Sequence, residues 1–310
     1  MSLAAGADLL DQARRGDAPA RAMARKERRF AAALLAPAFL ALTATTTFPL
    51  LFLVWTSAYR MDLAMPFMDG FAGFDNYRML IEDSRFWSSL VVSLVYTVST
   101  VVLQVAIGLA LAVLVMGMKR GQALFRFVAI LPVVMSPAVV GLVWRTFMLA
   151  PDFGIVDFLA VNAGLGRRDW LGDPTLALIS VIVIHTWQWT PFAFMVLLAS
   201  LAALPEDIYE AARLDRASAW QQFRRITLPL LRPAIVMVVI MRTMVALTAF
   251  AAIFTVTAGG PGTATEILNI YAYKKSFTEL SIGYGSALAV ALLVVTLLIS
   301  AFLFAIRRAR

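Results

Sequence analysis

The chain has 310 residues, 61% of them hydrophobic, with a mean hydropathy of +0.81, well beyond the roughly half-apolar content of soluble domains. It has no cysteine and one histidine, which excludes disulfides, iron–sulfur clusters, thiol catalysis and a histidine- or cysteine-ligated zinc site. A net charge of +8 and a pI near 10.2 suit nucleic acid or the basic ends of membrane spans, and the distribution of the charges decides between them.

The stretch from Met1 to Arg29 is polar and carries Arg14, Arg15, Arg21, Arg25, Lys26, Arg28 and Arg29, which reads as a cytoplasmic tail. The run Phe30–Tyr59 that follows is free of charge for 30 residues, longer than the core of a signal peptide, so it is expected to stay as a transmembrane helix. Further charge-free runs are Phe86–Met118, Phe127–Trp144, Pro174–Pro205 and Leu280–Ile306, and Pro233–Thr265 is broken only by Arg242. Each approaches the ~20 residues that cross a ~30 Å hydrocarbon core. Six helical spans follow, because backbone groups in lipid must be satisfied within the segment. Basic residues number seven, three, five and three in the tail, the 117–126 loop, the 205–232 loop and the C-terminus. They number three, three and two in the alternate loops. Both termini and the 205–232 loop are therefore expected in the cytoplasm. No nucleic-acid partner is implied.

Between the fourth and fifth runs lies a charged island, Pro205 to Pro233. Pro205 suits a first helical position and Glu206 and Asp207 a helix N-terminus, so about ten residues should form a short helix. Ser218 and Gln221 have capping-box spacing and start a second short helix that Pro229 should end. Glu210-Ala211-Ala212, then Asp215, Ala217, Phe223, Ile226 and Leu228-Pro229 resemble the EAA loop of binding-protein-dependent ABC importer permeases, within them the maltose- and glycerol-3-phosphate-type carbohydrate permeases. Arg216 stands where that pattern has glycine. Either the turn avoids positive φ, or arginine is compensated by contacts with a partner.

The resemblance extends over nearly the whole chain. Phe71 to Tyr77 is similar to the family's F-x-G-x-x-N-Y segment, Gly154 to Trp170 to its third external region, and Gly259 to Glu266 to its GGPG-x-A-T-E loop. It implies an all-α polytopic permease domain over 30–310, a coupling loop at 205–229 and a multi-pass location in the bacterial inner membrane. Partners would be a second permease in a heterodimer, two copies of a cytoplasmic ATPase and a periplasmic or extracellular solute-binding protein. ATP and magnesium would belong to the ATPase, with no cofactor on this chain, which has no Walker A sequence. Glu210, Ala211, Ala212, Asp215, Arg216 and Ala217 would couple to the ATPase. Gly259, Gly260 and Pro261 would lie where the binding protein docks, unless they only stop a helix.

Inside the spans, His185, Gln188 and Phe192 share a helix face at i, i+3, i+7, and amides beside aromatic rings suit sugars. Trp187 and Trp189 read more simply as interface anchors or packing. Arg242, about nine residues into its run, sits near mid-bilayer, where a charge costs roughly 2.5–3.5 kcal/mol and needs a partner. His185, Trp187, Gln188, Arg242, Thr243 and Phe250 are the substrate-pathway candidates, against interhelical hydrogen bonding for the histidine and glutamine and a structural ion pair for the arginine. An acidic sugar would suit that guanidinium. Importers of non-sugar solutes share the EAA loop. A stand-alone secondary transporter would need intramembrane acids or an internal repeat, and a membrane enzyme catalytic pairs within spans; neither is present in the sequence.

Overall fold

The computed structural model describes residues 3–308. Of the residues counted above, Arg310 lies outside the described residues, as do the side chains of Arg307, Arg308 and the tail arginines. The chain divides into two units, Met1–Trp55 and Thr56–Arg310. One helix, α1, runs Leu3–Ser57, and its stretch Phe30–Ser57 is apolar over 28 residues.

In the second unit the strands β1 (Tyr59–Arg60) and β2 (Gly70–Phe71) pair antiparallel, with Tyr59 opposite Phe71. Helix α2 (Asp75–Glu82) follows. Its Asn76 is buried and donates to the carbonyls of Ser57 at 2.8 Å and Tyr59 at 2.9 Å, holding α2 against the chain that enters the hairpin. Helix α3 (Ser84–Met116) begins at the Asp83 N-cap. Helices α4 (Gln122–Val134) and α5 (Pro137–Val143) come next, and α5 continues through a π turn at Trp144–Met148. Helix α6 (Ile155–Asn162) precedes α7 (Pro174–Ala202), which Asp173 caps. The charged island forms α8 (Glu206–Leu214) and α9 (Ala219–Gln222). A π turn at Phe223–Thr227 leads into α10 (Leu228–Leu247). After α11 (Ala251–Thr257), helix α12 (Leu268–Tyr273) carries a π turn at Lys274–Thr278, and α13 spans Ile282–Arg308.

Among the described residues five helices are long and apolar enough to cross a membrane, six if the bent pair α4–α5 is one span. That pair corrects the straight third span expected over 127–144. It bends by 96°, because proline at 137 pushes Ser136 into an extended conformation (ψ 133°) and Met135 is already extended (ψ 141°). The fifth span is displaced too. Instead of Pro233–Thr265 it occupies Ala219–Leu247, then breaks at Thr248 and Phe250. Pro229 does not end α9. The wider π turn just upstream absorbs the missing N–H, and the helix runs straight through. Pro205 is the N-cap rather than the first helical residue, its ψ of 130° being extended.

Lipid tails are as apolar as leucine, so the bundle gains most from close backbone approach. Helices α3 and α7 meet at Gly108, where a Cβ would stand 2.9 Å from both the Ala193 Cβ and the Phe194 backbone nitrogen. A buried cluster of Tyr96, Val140, Ile182, Ile184, Ile253 and Ile270 then ties α3, α5, α7, α11 and α12 together.

Candidate functional site

The polar residues within the spans converge. On α10 the Arg242 side chain is buried, 2% exposed. Its Nε donates to Gln104 Oε1 of α3 at 2.8 Å, and its Nη2 lies 3.2 Å from His185 Nε2 of α7. A guanidinium has no acceptor, so the imidazole nitrogen accepts and His185 is neutral with its proton on Nδ1. The guanidinium carbon lies 4.4 Å from the centre of the Trp189 ring, a cation–π contact strengthened by desolvation. Gln104 Nε2 also donates to the His185 carbonyl at 3.3 Å, and the Tyr96 ring packs 5.3 Å from the imidazole. Among the described residues no carboxylate lies within ion-pair distance of Arg242.

Beside this cluster is a cavity of about 330 Å³ lined by His185, Trp189, Thr248, Phe250 and Pro137. Two broken spans meet here. Pro137 follows the α4–α5 bend, and Thr248 to Phe250 form the α10–α11 break. Unwound backbone at membrane depth is tolerated only against protein or a wet cavity, and each break has its own clip. Gln188 Nε2 donates to the Met135 carbonyl at 3.1 Å, and Asn269 Nδ2 to the carbonyls of Thr248 at 3.2 Å and Ala249 at 3.4 Å.

Of the six pathway candidates, His185 and Phe250 line this cavity, while Arg242 is buried behind Trp189 and His185 with Thr243 buried next to it in the chain. Gln188 sits behind the cavity as a clip. Trp187 is 42% exposed on the other side of α7. It packs edge-on to Trp144 at 5.7 Å and lines a separate apolar groove of about 660 Å³ with Leu103, Phe125 and Phe194. Sequence reasoning missed Gln104, although one glutamine in an apolar run was a usable signal. It also left Trp189 as packing, because a pattern on one helix does not reveal which neighbour it meets.

On the basic-rich face, α8 and α9 enclose a groove of about 450 Å³ with the ends of α3 and α7, lined by Met116, Leu204, Tyr209, Glu210, Arg213 and Phe223. Ala212 is buried, while Glu210 and Ala211 are exposed. Helix α8 ends in a Schellman motif: Ala217 N–H bonds to Ala212 O at 2.9 Å and Arg216 N–H to Arg213 O at 3.0 Å. Arg216 therefore occupies the left-handed position, with φ 56°, so the turn does not avoid positive φ. Asp215 is the C-cap. Ser218 Oγ accepts from Gln221 N–H at 3.3 Å and Gln221 Oε1 from Ser218 N–H at 2.8 Å, the capping box expected there.

On the opposite face, Gly259 (φ 91°) turns the chain after α11, and a Cβ there would come within 3.1 Å of Ile270 and Lys274. Gly260 and Pro261 are half-buried. The Thr265 hydroxyl donates to Gly260 O at 2.8 Å and closes the loop. Glu266, fully buried, takes Arg85 Nε at 2.7 Å, Arg85 Nη2 at 2.9 Å and Lys274 Nζ at 2.7 Å. Burial alone would raise its carboxyl, but hydrogen bonds and charge from Arg85 and Lys274 outweigh burial and hold it below the usual carboxylate range. Asp83 is likewise held low: burial opposes, and the hydroxyls of Tyr271 (2.5 Å) and Tyr284 (2.6 Å) donate to it.

A multi-span bundle with a polar cluster at the junction of two broken spans, and a charged helical pair on one face, is a solute permease of the inner membrane. The chain belongs to the family of binding-protein-dependent transport system inner membrane components, whose model matches residues 104–309. It is 32% identical to the sulfoquinovosyl glycerol transport system permease protein SmoG of Agrobacterium fabrum over 92% of both chains. It is 31% identical to the trehalose/maltose transport system permease protein MalF of Thermococcus litoralis, over 80% of this chain and 83% of that one. In fold it is similar to a chain of a bacterial ABC transporter involved in the import of the acidic polysaccharide alginate, with a TM-score of 0.79 and 23% identity, covering 92% of this chain and 96% of that one.

Proposed function

We propose that this permease carries a sugar bearing an acidic group. The observation that carries the reading is Arg242: a guanidinium buried beside the cavity, with only neutral partners among the described residues. Burying a cation without an anion is costly, and a carboxylate, sulfonate or phosphate on the cargo would supply the missing charge through the planar donor fork. Trp189 and Phe250 offer ring faces for the sugar, and Thr248 a hydroxyl. One relative in this family is named as a permease for sulfoquinovosyl glycerol.

Transport runs by alternating access. A second, different permease completes the path, two cytoplasmic ATPases bind ATP and magnesium, and a solute-binding protein delivers the cargo. The 205–229 helices pass movement between the ATPase and the bundle, with Glu210, Ala211, Asp215, Arg216 and Ala217 at the contact and Ala212 anchoring α8 from behind. Gly259, Gly260 and Pro261 form the face toward the binding protein.

A neutral sugar is the second reading, favoured by the satisfaction of Arg242 within the protein by Gln104, His185 and Trp189. ATP-driven uptake separates the two. The importer, reconstituted with its binding protein in proteoliposomes, is offered sulfoquinovosyl glycerol, an alginate oligosaccharide, trehalose and maltose. Preference for an acidic sugar is expected, and preference for trehalose or maltose overturns the acidic reading.

A further inference from the structure

Four aromatic rings form a continuous line from the outer rim to the Arg242 cavity. Phe277, 68% exposed, lies in the π turn that follows α12, and its ring is 5.1 Å from that of Tyr273. Tyr273 is 5.1 Å from both Phe250 and Phe254, which stack on each other at 5.0 Å. Phe250 lines the cavity that His185 and Trp189 border, and Trp189 carries the guanidinium of Arg242.

Phe250 and Phe254 rest one side on the buried cluster, but none of the four rings is buried outright. On α11 the buried residues are Ala252, Ile253 and Val256, while Phe250 and Phe254 stay half-buried. On α12 Leu268, Ile270, Tyr271 and Ala272 go inward, while Tyr273 is half-buried and Phe277, in the π turn that follows, is exposed. Tyr271 is the ring of α12 that fills the core, and the four rings of the line each keep part of their surface open. Asn269, on the same helix as Tyr273, holds the backbone of the 248–250 break and so fixes where the line ends.

We propose that Phe277, Tyr273, Phe254 and Phe250 are a stacking track along which the sugar moves from the mouth to the Arg242 cavity. The C–H face of a pyranose is weakly positive and the aromatic face negative, so each ring offers contact without hydrogen bonds that would have to be broken for the next step. The rings nearly touch, so the sugar passes between neighbours without leaving an aromatic surface. The proposal rests on the sugar reading but not on the acidic group.

The test uses the complete importer in proteoliposomes, with trehalose and sulfoquinovosyl glycerol as probes, comparing Phe277→Leu and Tyr273→Leu with Phe277→Trp and Tyr273→Phe. Leucine keeps apolar bulk and removes the ring. The expected result is a KM for uptake about tenfold higher in each leucine variant with kcat retained, and a KM near the parent's in each ring-retaining variant. Leucine variants with the parent's KM overturn the track while leaving the sugar reading intact. So does a fall in kcat with KM unchanged, or loss of assembly in both leucine variants, because that is what a packing role gives. If the parent complex takes up neither probe nor the other two sugars of the panel, the sugar reading fails and the track with it.

Discussion

Replacing Glu266 by glutamine keeps the shape of the side chain and removes the charge that Arg85 and Lys274 share. The carboxylate is fully buried and accepts three charge-assisted bonds, two of them a fork from one arginine. Breaking a buried pair from one side costs ~3–5 kcal/mol when the remaining charge is trapped. Arg85 and Lys274 are 33% and 23% exposed and can turn partly toward water, which brings the expected loss to ~2–3 kcal/mol. Thermal unfolding of the detergent-solubilised complex at pH 7 should show a clearly lower Tm for Glu266→Gln. The pH dependence follows from the sign of the shift. The carboxyl of the folded protein titrates below its ordinary 4.5, so its stabilisation is complete above about 4.5 and is lost as pH falls through the lower folded value. The parent should therefore lose stability below pH 4.5 more steeply than the variant, although Asp83 keeps some acid sensitivity in both. Equal Tm values at pH 7, or equally steep acid loss, would refute the assignment of Glu266 as the anion that holds the outer loop.

Two further predictions concern the 205–229 helices. Glu210→Ala should leave the protein inserted and assembled, since an exposed carboxylate contributes little to folding, but should abolish the stimulation of ATP hydrolysis by loaded binding protein; normal stimulation with full transport removes Glu210 from the coupling contact. Arg216→Gly relieves a left-handed arginine and should stabilise the turn by roughly 1 kcal/mol with uptake preserved, whereas a complex that falls apart on purification would show that arginine makes a specific contact with the ATPase.

Much of this architecture was legible in the residues because lipid imposes simple rules. Runs without charge gave the spans to within a few residues wherever the helix was straight, as for α3 and α7. The Ser218–Gln221 capping box was readable from spacing alone. Charge-free length does not report bends, and Pro132 and Pro137 inside one run were the available signal for the α4–α5 kink. The π turn before Pro229 and the break at Thr248 carried no such mark, since neither needs an unusual residue. For the site, His185 and Arg242 stood out as polar groups in apolar runs. Their meeting with Gln104 and Trp189, and that of Glu266 with Arg85 across 181 positions, depend on which helices neighbour each other. One sequence does not encode that in a local pattern.

The claim at the centre is that Arg242 supplies the positive charge for an acidic cargo, and Arg242→Gln tests it most directly. Glutamine can still bond Gln104 and His185 but has no charge. ATP-driven uptake of sulfoquinovosyl glycerol and of trehalose is measured side by side in the reconstituted importer, with assembly checked by co-purification of all subunits. A charge-assisted bond is worth roughly 1.5–3 kcal/mol, so uptake efficiency for sulfoquinovosyl glycerol should fall by about tenfold to a hundredfold while that for trehalose changes little. An intact Arg242→Gln complex that handles both sugars as the parent does, or loses both in equal measure, contradicts the claim and leaves Arg242 as a structural tie between α3, α7 and α10.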